Sequence, residues 1–335
     1  MRRIGEEFFK RTIIKYMGNR TVVFLLVFFG YSFAAFAQGK IVSVFKVIPL
    51  GVYGGMDESN LSSYMLGVKG SDQYVCLDAG TLHAGIVKAT ANKVFRASEN
   101  VLKKNIRGYL ISHPHLDHLA GLIINSPDDS TKNIYGLPFC LEIIQDKYFS
   151  WKSWANFADK GEAPQLKKYH YVYLNPDAAI ALAGTNMQLR TFELSHSNPY
   201  KSTAFLINSG DANVLYLGDT GADEVEKSDR LKELWQAIAP LIKANQLRAI
   251  FVETSFPNEQ ATSKLFGHLT PALLMKEMQQ LASSAGTDHL QKVSIIITHI
   301  KPTGNNESII KAQLKNNNPL KLKLVFPLQG KLMEL

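Results

Sequence analysis

Apolar and polar positions along the chain group into short strands and helices that follow one another in a repeated order. Ile41 to Val52 alternates apolar residues and reads as a strand ending among Gly51, Gly54 and Gly55. Ser62–Val68 and Gln73–Leu77 continue it as an antiparallel meander, which stops at the turn Asp78-Ala79-Gly80. Leu82–Phe95 has helical spacing, and the apolar run Ile106–Ser112 reads as a buried strand. Leu119–Ser126, apolar and glycine-containing, reads as the first turns of a helix. Residues 130–180 are less patterned and carry many aromatic side chains, among them Tyr148, Phe149, Trp151, Trp154, Phe157, Tyr169, Tyr171 and Tyr173. They read as ordinary aromatics of core and surface, with the lining of a cleft by rings able to stack on a base as the alternative.

The second half repeats the theme. Met187–Leu194 alternates as a strand, and Thr203–Asn208 with Asn213–Leu217 flank Ser209-Gly210-Asp211 as a hairpin. The spacing predicts a helix over Ser228–Asn245, a strand over Arg248–Val252, and a helix over Ala272–Ser283 capped by Thr270 with Pro271 at its first position. Val293–Thr298 and Leu322–Phe326 read as strands around a helix at Glu307–Leu314. The expectation is an α/β chain built as two βα halves, with its chemistry along one edge.

That chemistry concentrates just after the buried strand. Ser112-His113-Pro114-His115-Leu116-Asp117-His118 places three of the nine histidines and an aspartate in six residues. Imidazole and carboxylate ligate zinc and similar ions. His113 and His115 alternate on extended backbone and can share one ion, while Asp117 and His118, past the turn, can reach a second. The alternative is a polar turn with hydrogen-bonded histidines, and four ligand types at this density argue against it. Other isolated polar residues also stand at strand ends: His196 after the strand ending at Leu194, Asp219 after Leu217, Glu253 after Val252, His299 after Thr298. His83, His170 and His289 match no motif.

His-x-His-x-Asp-His after a strand resembles the metal motif of the metallo-β-lactamase superfamily. The longer string His113–Pro127 is similar, over fifteen consecutive positions, to the signature of the class II cyclic-nucleotide phosphodiesterases. The resemblance implies an αββα sandwich, two sheets flanked by helices, with a dinuclear metal site at the sheet edge. It further implies two divalent cations, zinc foremost: one held by His113, His115 and His196, the other by Asp117, His118 and His299, with Asp219 bridging. Asp117 counts among the reacting groups as well as the ligands. Asp78 resembles the aspartate that supports the ligand loop, and His268, held by Glu253, the donor of a proton to the leaving oxygen. The implied reaction is hydrolysis of 3′,5′-cyclic AMP, with cyclic GMP as a further substrate, to the 5′-monophosphate by a hydroxide shared between the ions. An exported arylsulfatase or another phosphodiesterase is the alternative on the same fold. A metal-binding protein without catalysis is the alternative outside it.

The first 37 residues change where this enzyme is expected to work. Six basic and two acidic residues up to Arg20 precede the apolar run Thr21–Phe33 and then Ala35-Phe36-Ala37. That order reads as a secretory signal cleaved after Ala37, leaving residues 38–335 as one catalytic domain, with Met17 a second candidate start. The protein is therefore expected to be exported, periplasmic or secreted, without stable membrane insertion after cleavage. The formal charge of +8 falls to +4 without that segment (31 basic less 27 acidic), too mild and unclustered for a nucleic-acid polymer as partner. A small anionic cyclic nucleotide fits; a homodimer is left open. The two cysteines, Cys76 and Cys140, sit in apolar stretches and read as free buried thiols.

Overall fold

The computed structural model describes residues 43–97, 99–176 and 178–335. The expected signal segment lies outside the described residues. The chain opens with β1 (Phe45–Gly51), β2 (Ser63–Val68) and β3 (Tyr74–Leu77), then two helices, α1 (His83–Ala91) and α2 (Val101–Lys104). After β4 (Ile106–Leu110) come α3 (Leu116–Asn125), β5 (Lys132–Gly136), α4 (Pro138–Ile143) and β6 (Tyr169–Tyr173). The second half runs β7 (Ile180–Ala181), β8 (Gln188–Ser195), β9 (Lys201–Ser209), β10 (Ala212–Leu217), α5 (Asp223–Glu226), α6 (Arg230–Lys243) and β11 (Leu247–Glu253). It ends with α7 (Pro271–Ala285), α8 (Thr287–Leu290), β12 (Ser294–Thr298), α9 (Asn306–Asn316), β13 (Lys323–Val325) and β14 (Met333–Glu334).

Two seven-stranded sheets result, in the orders β14-β1-β2-β3-β4-β5-β6 and β13-β12-β11-β10-β9-β8-β7. Each joins an antiparallel half to a parallel one: β3 to β6 pair in parallel in the first, and β10 to β13 in the second. Side-chain alternation sorts every central strand onto two faces. Val75, Leu77, Leu110, Val214, Tyr216, Phe251 and Ile296 meet between the sheets. Cys76, Tyr109 and Ile111 face the helices of the first half, and Leu215, Ile250, Ile295 and Ile297 face α6 and α7. Near-continuous apolar strands such as Ser294–Thr298 are buried on both sides, as parallel strands under helices must be. The architecture is the αββα sandwich expected.

The unpatterned region 130–180 holds two parallel strands, β5 and β6. Their signal is masked because Lys132 sits buried in β5, its ammonium 2.6 Å from the buried Asp129 carboxylate. Phe149, Tyr169 and Tyr171 belong to the core beneath the first sheet. Trp154 donates its indole N–H to Ser126 Oγ at 3.0 Å, and Trp151 donates to the Pro164 carbonyl at 2.9 Å. The region is therefore largely packing. Cys76 and Cys140 are free and buried. Among the described residues no helix is long and apolar enough to cross a membrane.

Candidate active site

The edges of β4, β8, β10, β11 and β12 converge, and each sends one loop with a polar side chain to the same point. Helix α3 starts at Leu116, three residues before the apolar run Leu119–Ser126, because its first turn is filled by the polar Asp117 and His118. Asp117 and His118 thus occupy the helix's first turn, where a carboxylate also meets the positive end of the helix dipole. The helix lies against the Asp78-Ala79-Gly80 turn: Gly121 N donates to Gly80 O at 2.8 Å, and a Cβ on Gly80 would come 2.1 Å from the Asp117 carbonyl. Only glycine permits that approach.

Seven predicted ligands stand together: His113, His115, Asp117, His118, His196, Asp219 and His299. Asp219 Oδ2 lies 3.2 Å from His299 Nε2, 3.3 Å from His118 Nε2, 3.8 Å from His113 Nε2 and 4.0 Å from His196 Nε2. His299 Nε2 is also 3.2 Å from Asp117 Oδ2. Three overlapping groups, His113–His115–His196, His113–His118–Asp219 and Asp117–His118–His299, have their donor atoms within 4.8 Å of one another. His115 is the exposed member; His113, His118, His196, Asp219 and His299 are buried.

Each ring is held from behind, which settles where its proton sits. Asp78 is fully buried and accepts from Ser112 N at 2.7 Å, Ser112 Oγ at 2.8 Å, Tyr216 OH at 2.7 Å and His118 Nδ1 at 2.8 Å. A carboxylate only accepts, so His118 carries its proton on Nδ1 and turns an Nε2 lone pair inward. Ser112, donating to Asp78, can accept His113 Nδ1–H at 3.0 Å. His196 Nδ1 donates to the Gly267 carbonyl at 2.9 Å. Ser255 Oγ donates to Glu253 at 2.7 Å and accepts from His299 Nδ1 at 2.9 Å. In the neutral form of each of these four rings the inward atom is therefore an electron-pair donor. His118 Nε2 and His299 Nε2 face each other at 3.0 Å beside two carboxylate oxygens. Such convergence of lone pairs and negative charge fits a bound cation.

The charge states of His113, His115, His196 and His299 agree with that fit. Burial, then the neighbouring His118 and His196, lowers His113; burial holds His299 and His196 below the usual histidine range and brings His115 down to about 4. His118 is the exception: burial opposes its charge, but Asp219, Asp78 and Asp117 together carry it well above the usual value. Burial also works against ionised Asp117 and Asp219, yet the surrounding histidines hold both below the usual carboxylate range.

Beside this cluster stands a second pair. His268 Nδ1 donates to Glu253 Oε1 at 2.8 Å and lies 3.7 Å from Asp219 Oδ2. Glu253 also accepts from Thr220 N at 3.1 Å, Leu269 N at 3.2 Å and Ser255 Oγ. Burial, with Asp219 nearby, raises Glu253 to about 7, and burial draws His268 down to about 4. Both shifts favour the uncharged forms of a buried pair.

Apart from Asp78, sequence reasoning missed the residues that hold the ligands. Ser255 links Glu253 to His299; Gly54 leaves room for the His299 ring, which a Cβ would meet at 2.2 Å; Gly55 N donates to Asp117 Oδ2 at 3.0 Å. Glu226 accepts from Ser195 Oγ at 2.9 Å and Asn198 N at 3.1 Å, fixing the loop that carries His196. The run of glycines at 51, 54 and 55 was the one available signal. His299 and Asp78 both adopt left-handed backbone, φ +56° and +55°, a conformation that concentrates at functional sites.

Fold and site together define a metallo-β-lactamase-fold protein. In structure the chain is similar to unliganded yeast PDE1, with a TM-score of 0.75 at 22% identity over 88% of this chain and 100% of that one. It is also similar to the metallo-β-lactamase fold protein YhfI from Bacillus subtilis, with a TM-score of 0.57 at 19% identity over 87% of this chain and 99% of that one. Residues 42–330 match the model of the class-II cAMP phosphodiesterases, and the chain belongs to that family. A 3′,5′-cyclic-nucleotide phosphodiesterase of Aliivibrio fischeri is 39% identical over 85% of this chain and 91% of its own length. A probable 3′,5′-cyclic-nucleotide phosphodiesterase of Yersinia pestis is 34% identical over 89% and 91%.

Proposed function

We propose that this protein hydrolyses 3′,5′-cyclic AMP, and cyclic GMP in addition, to the 5′-monophosphate at the cluster just described. Family membership sets the reaction class. The observation that carries the chemistry is the convergence of His118 Nε2, His299 Nε2, Asp117 Oδ2 and Asp219 Oδ2 within hydrogen-bond distance.

His113, His115 and His196 would hold one divalent ion, Asp117, His118 and His299 a second, and Asp219 both; zinc suits this nitrogen and oxygen set. Bound there, the ions lower the pKa of water and neutralise the phosphate oxygens as charge develops. The chain's own part is orientation and proton delivery. Asp78, Ser112, Ser255 and the Gly267 carbonyl hold the outer nitrogens of His118, His113, His299 and His196, so that the other nitrogen of each ring faces the centre. His268 is held on Glu253 through Nδ1; when the pair carries the Glu253 proton as well as the ring's own, Nε2–H can pass to the departing 3′ oxygen, leaving Glu253 ionised and His268 neutral. Asp219, close to both His268 and the ligand rings, couples the two sets.

We also infer that the segment 1–37 directs export and is removed, so that the enzyme acts outside the cytoplasm; sequencing the amino terminus of the exported protein should begin at Gln38. The activity is tested by incubating the zinc-loaded protein with cyclic AMP and identifying the product, with His115→Ala as control. Metal-dependent release of 5′-AMP alone supports the reading. Absence of turnover, with hydrolysis of a sulfate ester instead, refutes it.

A further inference from the structure

An exposed aromatic ring beside the cluster lies outside the aromatic-rich region 130–180, whose Tyr148 reaches the same opening by donating its hydroxyl to the Pro114 carbonyl at 3.0 Å. Tyr200 is 64% exposed, and its ring centroid lies 6.4 Å from that of His115, the solvent-facing histidine of the cluster. Leu116, next to His115, is exposed as well, so the rim at this opening is apolar. Single exposed aromatics need no special explanation. Tyr200 differs because its backbone is held as firmly as a ligand's. His196 N donates to Tyr200 O and Tyr200 N to Ser197 O, both at 3.2 Å. The intervening Asn198 N is bound to the buried Glu226. The loop is closed from above by Gly267, so tightly that a Cβ there would lie 2.2 Å from Ser197 N. The same five-residue loop that aims His196 inward therefore holds the Tyr200 backbone in place and presents its ring outward beside His115. No partner among the described residues binds the Tyr200 hydroxyl.

We propose that Tyr200 is the stacking platform for the nucleobase, a specificity-determining residue for the reaction assigned above, on which this inference rests. With the phosphate at the cluster, the base of a nucleotide stands one ribose away, at the His115 opening. A rigid π-face there gains from any base without hydrogen-bond readout, so the platform favours nucleotides over other phosphodiesters and accepts adenine and guanine alike. The rings 151 and 154, whose indole N–H groups are engaged by Pro164 and Ser126, are not needed for this.

The test is calorimetric binding of 5′-AMP and of ribose 5-phosphate, which lacks the base, to the zinc-loaded protein and to Tyr200→Ala and Tyr200→Phe. The wild type should bind 5′-AMP more tightly than ribose 5-phosphate. Tyr200→Ala should weaken 5′-AMP about 10-fold or more and leave ribose 5-phosphate nearly unchanged, the size and selectivity of a base–aromatic stack. Tyr200→Phe should keep the wild-type affinity. Equal binding of the two ligands by wild type, or a Tyr200→Ala effect that is absent or common to both, overturns the platform. If cyclic AMP is not turned over while the base-dependent gap persists and collapses in Tyr200→Ala, the activity assignment fails and the platform stands.

Discussion

Asp78→Asn isolates the carboxylate on which the metal-facing histidines depend. The side chain is fully buried, and its four donors approach at 2.7–2.8 Å, the short distances of charge-assisted bonds. Three of them converge on Oδ2 and one, Ser112 N, on Oδ1. An asparagine with its oxygen in the Oδ2 position keeps the three but points an amide N–H at Ser112 N–H. Leaving that donor unmade costs about 1–3 kcal/mol, and the remaining bonds fall from charged to neutral strength, each weaker by about 1 kcal/mol. Relief of burying a carboxylate offsets part of this, leaving a net loss of about 2–4 kcal/mol, read as a lowered midpoint in guanidinium unfolding. The more specific effect is on His118, whose Nδ1–H loses its anionic anchor. Losing an outer partner of this kind weakens metal binding about 10–100-fold, so activity in Asp78→Asn should be largely restored by excess zinc. Titration with a fluorescent zinc chelator measures the affinity. Wild-type zinc affinity in a variant with the expected stability loss would refute the argument that Asp78 fixes the ring.

His268→Ala should keep its zinc and lose roughly 10²–10⁴-fold in kcat for cyclic AMP, the usual range for a general acid; unchanged turnover would remove it from the mechanism. Gly54→Ala puts a methyl 2.2 Å from the His299 ring, so bound zinc should fall from two ions toward one, counted by atomic absorption. Removing the metal with a chelator should leave two carboxylates and facing lone pairs unscreened and lower the thermal midpoint, reversed by zinc; an unaltered midpoint would mean the cluster does not hold the ion in the folded state. Ser255→Ala should leave His299 Nδ1 without its acceptor and reduce zinc affinity more than kcat, since three further donors still hold Glu253.

Much of the centre was legible in order along the chain. Local periodicity marks strands that end at His113, His196, Asp219, Glu253 and His299, because alternation and breaker residues act over a few neighbours. The density of ligand types after β4 points to a metal, since no packing reason gathers them there. What holds those side chains was not legible. Tyr216 reaches Asp78 across 138 residues and His118 meets His299 across 181, contacts set by how the two sheets stack. The carbonyl of Gly267, the hydroxyl of Ser255 and the empty space over Gly54 have no sequence pattern, because a backbone acceptor or a missing Cβ acquires meaning only beside the group it meets. The short edge strand β14 and the strand β5 were hidden for a related reason. Residues 333–334 pair only with β1, and Lys132 enters the core by virtue of a partner that the fold supplies. Local sequence thus determined which residues could ligate and where the strands end. Tertiary packing alone decided which nitrogen of each histidine faces inward, and it placed Tyr200, far in sequence from the aromatic-rich region, beside His115.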